Sequence, residues 1–299
     1  MRMRTCNKKL GLVVGVDDSP AAKVALRWAA RDAELRHIPL TLVHTIAVEV
    51  GTWLELPSPP GLARWQKDRA RQLLDDAIAV VTEACRHGGP TQVNTELVSA
   101  ATIPALVELS DDAEMVVIGS RDRRQWPGRS LGSVSAGLVR HAHCPVAVIH
   151  DEDPLMPHPA QAPVLVGVDG SSAAELATAI AFDEAAHRNV NVLALHACND
   201  IDISQFPEID WPTMQSMAEQ GLAERLAGWE KQYPEVRVSR IVVRDQPARR
   251  LLEHADDAQL VVVGSRGRGG FAQLLLGSVS ETVAQLARMP VIVARETTT

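Results

Sequence analysis

Aromatic residues are scarce in this chain of 299: three Phe, six Trp and one Tyr. Set beside abundant Ala and Val, that deficit suits helices packed closely on a buried sheet better than an aromatic-rich β-sandwich. Basic charge is not in surplus, since 30 Lys and Arg face 37 Asp and Glu for a formal net charge of −7. Neutralising phosphates of a nucleic acid needs the opposite balance, so no nucleic-acid partner is expected. The four cysteines, Cys6, Cys85, Cys144 and Cys198, form no C-x-x-C pair. They read as reduced thiols of a cytosolic protein, not as a disulfide framework. No apolar run approaches the roughly 18 residues of a membrane span. The basic start (Arg2, Arg4, Lys8, Lys9) leads into an apolar stretch that Asp17 and Asp18 cut short, with no small-residue cleavage site behind it. A cytoplasmic setting without a membrane partner follows as the expectation.

What is present is a repeat. LVVGVDDS at 12–19 returns as VLVGVDGS at 164–171, 152 residues later, and Val43-His44 returns as Leu195-His196 at the same spacing. MVVIGSR at 115–121 returns as LVVVGSR at 260–266, now 145 residues later; LGSVS at 131–135 and CPVAV at 144–148 keep that second spacing at 276–280 and 289–293. A net loss of seven residues between the second and fourth strand-like runs is what a surface loop tolerates and a core strand does not. The chain reads as two copies of one domain of ordinary size. The expected organisation is a first domain over 1–150, a linker over 151–163 whose four prolines stiffen it, and a second domain over 164–299.

Within the first copy, short β-branched runs at 12–16, 40–44, 93–98, 115–118 and 146–149 alternate with Ala/Leu/Glu/Arg-rich segments at 21–36, 64–86, 103–111 and 133–140. Strand and helix in alternation predict a parallel sheet covered on both faces, and the runs are nearly all apolar, as doubly buried strands require. The expected fold is α/β, two tandem, doubly wound, Rossmann-like domains of five parallel strands each. Ser19-Pro20 and Ser171 stand where helix N-caps belong. Such sheets bind ligands beyond the carboxyl ends of their strands, where the strand order reverses.

In the second copy Gly264-Ser-Arg-Gly267 follows a strand directly, and after nine residues comes Gly277-Ser278-Val279-Ser280, opening a helix expected over 279–288. Glycines there permit unusual backbone conformations and close approach of a ligand. The helix start offers free amides and the positive dipole end to phosphate oxygens, and Ser278 and Ser280 bring hydroxyl donors. Either feature alone has an ordinary structural explanation, a tight turn or an N-cap. Their spacing after the fourth strand favours a triphosphate cradle. Asp169, at the tip of the first strand, can accept from sugar hydroxyls, orient the loop or cap the following helix.

The pattern G-x2-G-x9-G-[ST], with a Val-rich first strand ending in Asp, resembles the ATP-binding class of the universal stress protein family, in its tandem, actinobacterial type. The resemblance covers nearly all of both copies. It implies the universal stress protein fold and ATP as the cofactor, with Mg²⁺ as an accompanying ion. It places adenine at Gly167, Val168 and Asp169 and beside Ala197. Ribose and phosphates fall on Val263, Gly264, Gly267, Gly277, Ser278, Val279 and Ser280. The corresponding first-copy positions are Gly15, Val16, Asp17, Thr45, Gly119, Gly132, Ser133, Val134 and Ser135. It further implies pairing of terminal strands between domains, as an internal pseudo-dimer. The resemblance leaves association of two whole chains open, a homodimer being the expectation, together with a protein partner whose identity the sequence does not give.

The first copy departs from the pattern at Asp122, which stands where the second glycine belongs. A carboxylate about 4 Å from a phosphate charge costs at most about 4 kcal/mol at an effective dielectric near 20, and solvent, Mg²⁺, Arg121, Arg123 and Arg124 reduce it. The first site is therefore expected to bind ATP more weakly than the second, or not at all. No general base is evident beside the cradle, so a stress-response regulator acting through its nucleotide-bound state is expected. A slow ATP hydrolase and a non-nucleotide scaffold of the same family are the alternatives. No Walker A sequence occurs, and Ser133 replaces the first glycine of a nucleophile elbow. His141-Ala-His143-Cys144 reads as a turn and not as a zinc site, and His44 and His196 as partners of local hydrogen bonds. Tryptophans and prolines near 49–65 and 199–212 read as anchors of long loops.

Overall fold

The computed structural model describes residues 9–46, 61–120, 131–150, 161–198, 210–268 and 275–295. The chain divides between residues 151 and 152 into two compact units, here called the N-terminal and C-terminal halves.

The N-terminal half runs β1 (Leu12–Gly15), α1 (Pro20–Arg36), β2 (Leu40–Thr45), α2 (Leu62–Ala84), β3 (Val93–Val98), α3 (Thr102–Leu109), β4 (Met115–Gly119), α4 (Ser133–His141) and β5 (Val146–Ile149). Its strands are all parallel, in the order β3-β2-β1-β4-β5. The C-terminal half repeats this as β6 (Val164–Gly167), α5 (Ser172–Arg188), β7 (Val192–Cys198), α6 (Trp211–Gln232), β8 (Val238–Arg244), α7 (Pro247–Ala255), β9 (Leu260–Gly264), α8 (Ser278–Leu286) and β10 (Val291–Ala294). Its order is β8-β7-β6-β9-β10, again parallel throughout. In each half the chain winds one way from the first strand and then reverses, so the crevice lies where β1 parts from β4 and β6 from β9.

Central strands are buried on both faces: Leu12, Val13, Val14, Val116 and Val117 are fully inaccessible, as are Leu165, Val166, Val261 and Val262. This is why they read as unbroken apolar runs. The first helices pack with alanines, Ala25, Ala29 and Ala33 in α1 and Ala177, Ala181 and Ala185 in α5, all with no accessible surface. Small side chains bring these helices close to the sheet, and a residue with a Cβ at the strand tip would collide with them. A Cβ on Gly119 would lie 2.4 Å from the Ala21 carbonyl oxygen, and one on Gly264 would lie 2.7 Å from the Ala173 carbonyl carbon. Neither glycine has a positive φ. The expectation that such glycines supply an unusual backbone conformation is thus corrected for Gly264 and Gly267: what they supply is space.

Local signals set the helix ends. Ser19 and Ser171 accept from the amides of Ala22 and Ala174 at 3.1 and 3.2 Å, the N-caps expected of them. At the other end His37 and Asn189 adopt the left-handed conformation, φ 53° and 55°, closing α1 and α5 at matching positions. α8 stops at Leu286, two residues short of the expected end, because Ala287 turns to an extended conformation ahead of Pro290. Three of the few aromatics gather between α5 and α6, where the rings of Trp229 and Tyr233 lie 6.2 and 5.9 Å from that of the fully buried Phe182. Trp65, expected to anchor a loop, instead stands 65% exposed in the first turn of α2, ahead of that helix's first buried residue, Ala70.

Candidate functional site

At the tip of β6, Val168 continues the ladder by donating to the Leu195 carbonyl at 2.9 Å. Its own carbonyl accepts from Nδ1 of His196 at 2.6 Å, and Val16 and His44 repeat the contact at 2.7 Å. Since a carbonyl only accepts, Nδ1 carries the proton in both rings. Both histidines are local hydrogen-bond partners, as the sequence suggests.

Asp169 follows. One carboxylate oxygen accepts from the Ser171 amide and hydroxyl at 2.9 and 2.7 Å, and the other accepts from the Arg268 amide at 3.1 Å. The carboxylate therefore orients the loop after β9; capping α5 falls to Ser171. The position of Gly267 follows from the same contact, because a Cβ there would lie 2.6 Å from the Asp169 Oδ2. Asp17 makes the corresponding local bond, accepting from the Ser19 amide at 3.0 Å. Asp122 and its neighbouring arginines lie outside the described residues.

The two motif segments of the C-terminal half are pinned together. The Gly277 amide donates to the Ser265 carbonyl at 2.8 Å, and the Ser280 hydroxyl donates to the Gly264 carbonyl at 2.5 Å. Ser135 makes the same bond to Gly119 at 3.2 Å. This corrects the expectation that Ser280 offers a hydroxyl proton to a ligand: that proton is directed to the strand, and its backbone amide is what remains to offer. Ser278 and Ser133 are exposed in the first turns of α8 and α4.

Both helices start on a glycine, Gly277 and Gly132, with no side chain capping them. In each half the first helix, α1 or α5, is closed by a serine cap, whereas α4 and α8 start with no side-chain cap, as do α2, α3 and α7. The first amides of such a helix, with the positive end of its dipole behind them, favour an anion.

In the N-terminal half a cavity of about 590 Å³ opens at this crevice. All nine first-copy residues named from sequence line it: Gly15, Val16, Asp17, Thr45, Gly119, Gly132, Ser133, Val134 and Ser135. Its wall also includes Val43, His44, Thr102, Leu106 and Ile118. Thr102 and Leu106 were missed because α3 carries no motif; only its place after the third strand points to them.

In the C-terminal half Val263 is buried and approaches the Gly167 position, its Cγ1 3.7 Å from a Cβ built there, while Leu251 of α7 comes to 3.3 Å. Ala197 pairs with Val243 near the end of β7. At the start of α7, Asp245 lies 3.0 Å from Arg250 and 3.8 Å from Arg249. The Gln246 amide, then these guanidinium groups, hold the Asp245 carboxyl below its ordinary range. Elsewhere His143 bonds Asp111 at 2.5 Å, and no group of three or more His, Cys, Asp or Glu that could hold a metal ion occurs among the described residues. Cys85, Cys144 and Cys198 form no disulfide among the described residues, and no described helix is long and apolar enough to cross a membrane.

The chain matches the universal stress protein family over residues 11–150 and again over 162–295. A universal stress protein of Mycobacterium tuberculosis (strain ATCC 25618 / H37Rv) is 66% identical over 297 residues, covering 99% of this chain and 100% of that one. Another, from Mycobacterium bovis (strain ATCC BAA-935 / AF2122/97), is 50% identical over 97% of this chain and 98% of its own length. Among solved structures, a universal stress protein from Archaeoglobus fulgidus DSM 4304 superposes with a TM-score of 0.71 at 19% identity, covering 95% of this chain and 98% of that one.

Proposed function

The chain belongs to the universal stress protein family, and from that premise we propose that it is a cytoplasmic regulator of the stress response, acting through its ATP-bound state. The observation that carries this reading is the pair of uncapped helix starts, each held by its serine latch beside a glycine-tipped strand at the sheet's switch point. Amides so held are organised for phosphate oxygens before any ligand arrives, which spares the cost of ordering them on binding. The Asp169 carboxylate fixes the adjoining loop in the C-terminal half.

Phosphates would lie on the amides of Ser278, Val279 and Ser280 and of Ser133, Val134 and Ser135, with Mg²⁺ offsetting their charge. Adenine would lie toward Gly167, Val168 and Ala197 in one half and Gly15, Val16 and Thr45 in the other. The C-terminal site is the tighter, because Asp122 replaces a glycine in the other. The domains span 1–150 and 164–299, and the chain forms a homodimer and signals to a protein partner.

Nucleotide released from freshly purified protein and identified by chromatography tests binding. Recovery of ATP is the expected result; empty protein that also fails to bind ATP in calorimetry points to the scaffold alternative. A phosphate-release time course separates regulator from slow hydrolase, and sedimentation velocity tests the homodimer.

A further inference from the structure

The two halves differ where the ligand's far end would lie. In the N-terminal cavity the hydroxyls of Thr45 and Thr102 stand 2.7 Å apart, one donating to the other. Both residues line the cavity and are half-buried. Each threonine hydroxyl has one proton and two lone pairs. Their mutual bond uses one proton, and neither hydroxyl has a further hydrogen-bond partner among the described residues. One proton and several lone pairs thus remain for an occupant.

At the matching positions the C-terminal half has no such pair. Thr45 is five residues after the start of β2, where Ala197 is five after the start of β7. Thr102 opens α3, nine residues after the start of β3, where Pro247 opens α7 nine after the start of β8. Neither an alanine side chain nor a proline ring forms a hydrogen bond.

The placement of the pair indicates what it would read. Thr45 ends β2 and Gly119 ends β4, with β1 between them, so two strand spacings, about 10 Å, separate the hydroxyl pair from the strand that leads to α4. The cavity therefore has an anion-binding end at the start of α4 and an uncharged, hydrogen-bonding end at the threonines. A molecule carrying phosphates at one end and a polar ring edge at the other matches both. We infer that Thr45 and Thr102 are specificity determinants of the N-terminal site, reading the hydrogen-bonding edge of a nucleobase, and that the C-terminal site lacks this discrimination. The inference rests on the nucleotide-binding reading above and deepens it: the halves bind one ligand class with different selectivity.

The test uses the full chain with Gly267→Asp, which weakens the C-terminal site. ATP and purine riboside 5′-triphosphate, identical except for the missing 6-amino group, are compared by titration calorimetry. Preference for ATP by about three- to tenfold is expected, the range for one neutral hydrogen bond. Thr45→Val/Thr102→Val keeps shape while deleting both hydroxyls and should erase the preference; Thr45→Ser/Thr102→Ser should retain it. Circular dichroism melting checks that each variant folds. Equal affinity for the two nucleotides before any threonine is changed, or a preference that survives the valine pair, overturns the inference while leaving nucleotide binding standing. A folded Gly267→Asp chain that binds neither nucleotide at millimolar concentration overturns both this inference and the reading of the N-terminal cavity as a nucleotide site.

Discussion

Gly267→Asp places in the C-terminal half the residue that the N-terminal half carries at Asp122. The new Cβ would lie 2.6 Å from the Asp169 Oδ2, an impossible approach, so one side chain must move. Moving Asp169 strains its bonds to Ser171 and Arg268. Two carboxylates then face each other at about 4 Å, a repulsion of about 1 kcal/mol in water and about 4 kcal/mol at an effective dielectric of 20. Position 267 is exposed, so the lower part of that range applies to the free protein. Bound phosphates, themselves anionic and shielded from solvent, add repulsion toward the upper part. Affinity for ATP at this site should fall about 10- to 100-fold, each tenfold being about 1.4 kcal/mol. In calorimetry the tight phase disappears and the weaker one persists. The electrostatic share shrinks as salt rises from about 0.1 to 1 M, where the screening length drops from about 10 to 3 Å. Gly267→Ala separates crowding from charge and should cost less. An isotherm for Gly267→Asp that overlays the unaltered protein's would refute both the assignment of the cradle and the steric reasoning behind Gly267.

Glu34, buried at the end of α1, accepts from the amides of Arg86, His87 and Gly89 at 3.1, 2.6 and 2.9 Å. Burial pushes its carboxyl up, but those amides, with help from the His87 charge, hold it below the ordinary 4.5. Its stabilisation is therefore complete above the unfolded-state value and is lost as pH falls through the folded one; Glu34→Gln should lower the melting temperature at pH 7, with the gap closing as pH falls below the ordinary 4.5. Glu34→Ala should cost about 2–3 kcal/mol by denaturant unfolding. His37→Gly should stabilise by roughly 1 kcal/mol in the same assay, since φ 53° strains a residue with a Cβ. Ser280→Ala, which unpins α8 from β9, should destabilise by about 1 kcal/mol and weaken ATP binding together.

Much of this protein was legible in its residues. The duplicated Val-Gly-Val-Asp strand gave the repeat, unbroken apolar runs gave the parallel sheets, and Ser19 and Ser171 marked two helix starts, because each signal acts within a few neighbours along the chain. The cavity's motif residues were legible for the same reason: a glycine-tipped strand and an uncapped helix start are local events. Tertiary packing decided the rest. Only the approach of α1 and α5 to the strand tips explains why Gly119 and Gly264 lack a side chain, and only the Asp169 carboxylate explains Gly267. The directing of the Ser280 proton to Gly264, and the meeting of Thr45 with Thr102 across 57 positions, belong to the same class. These contacts join segments brought together when strands from distant parts of the chain pair side by side, and sequence spacing carries no trace of which side chains then face one another.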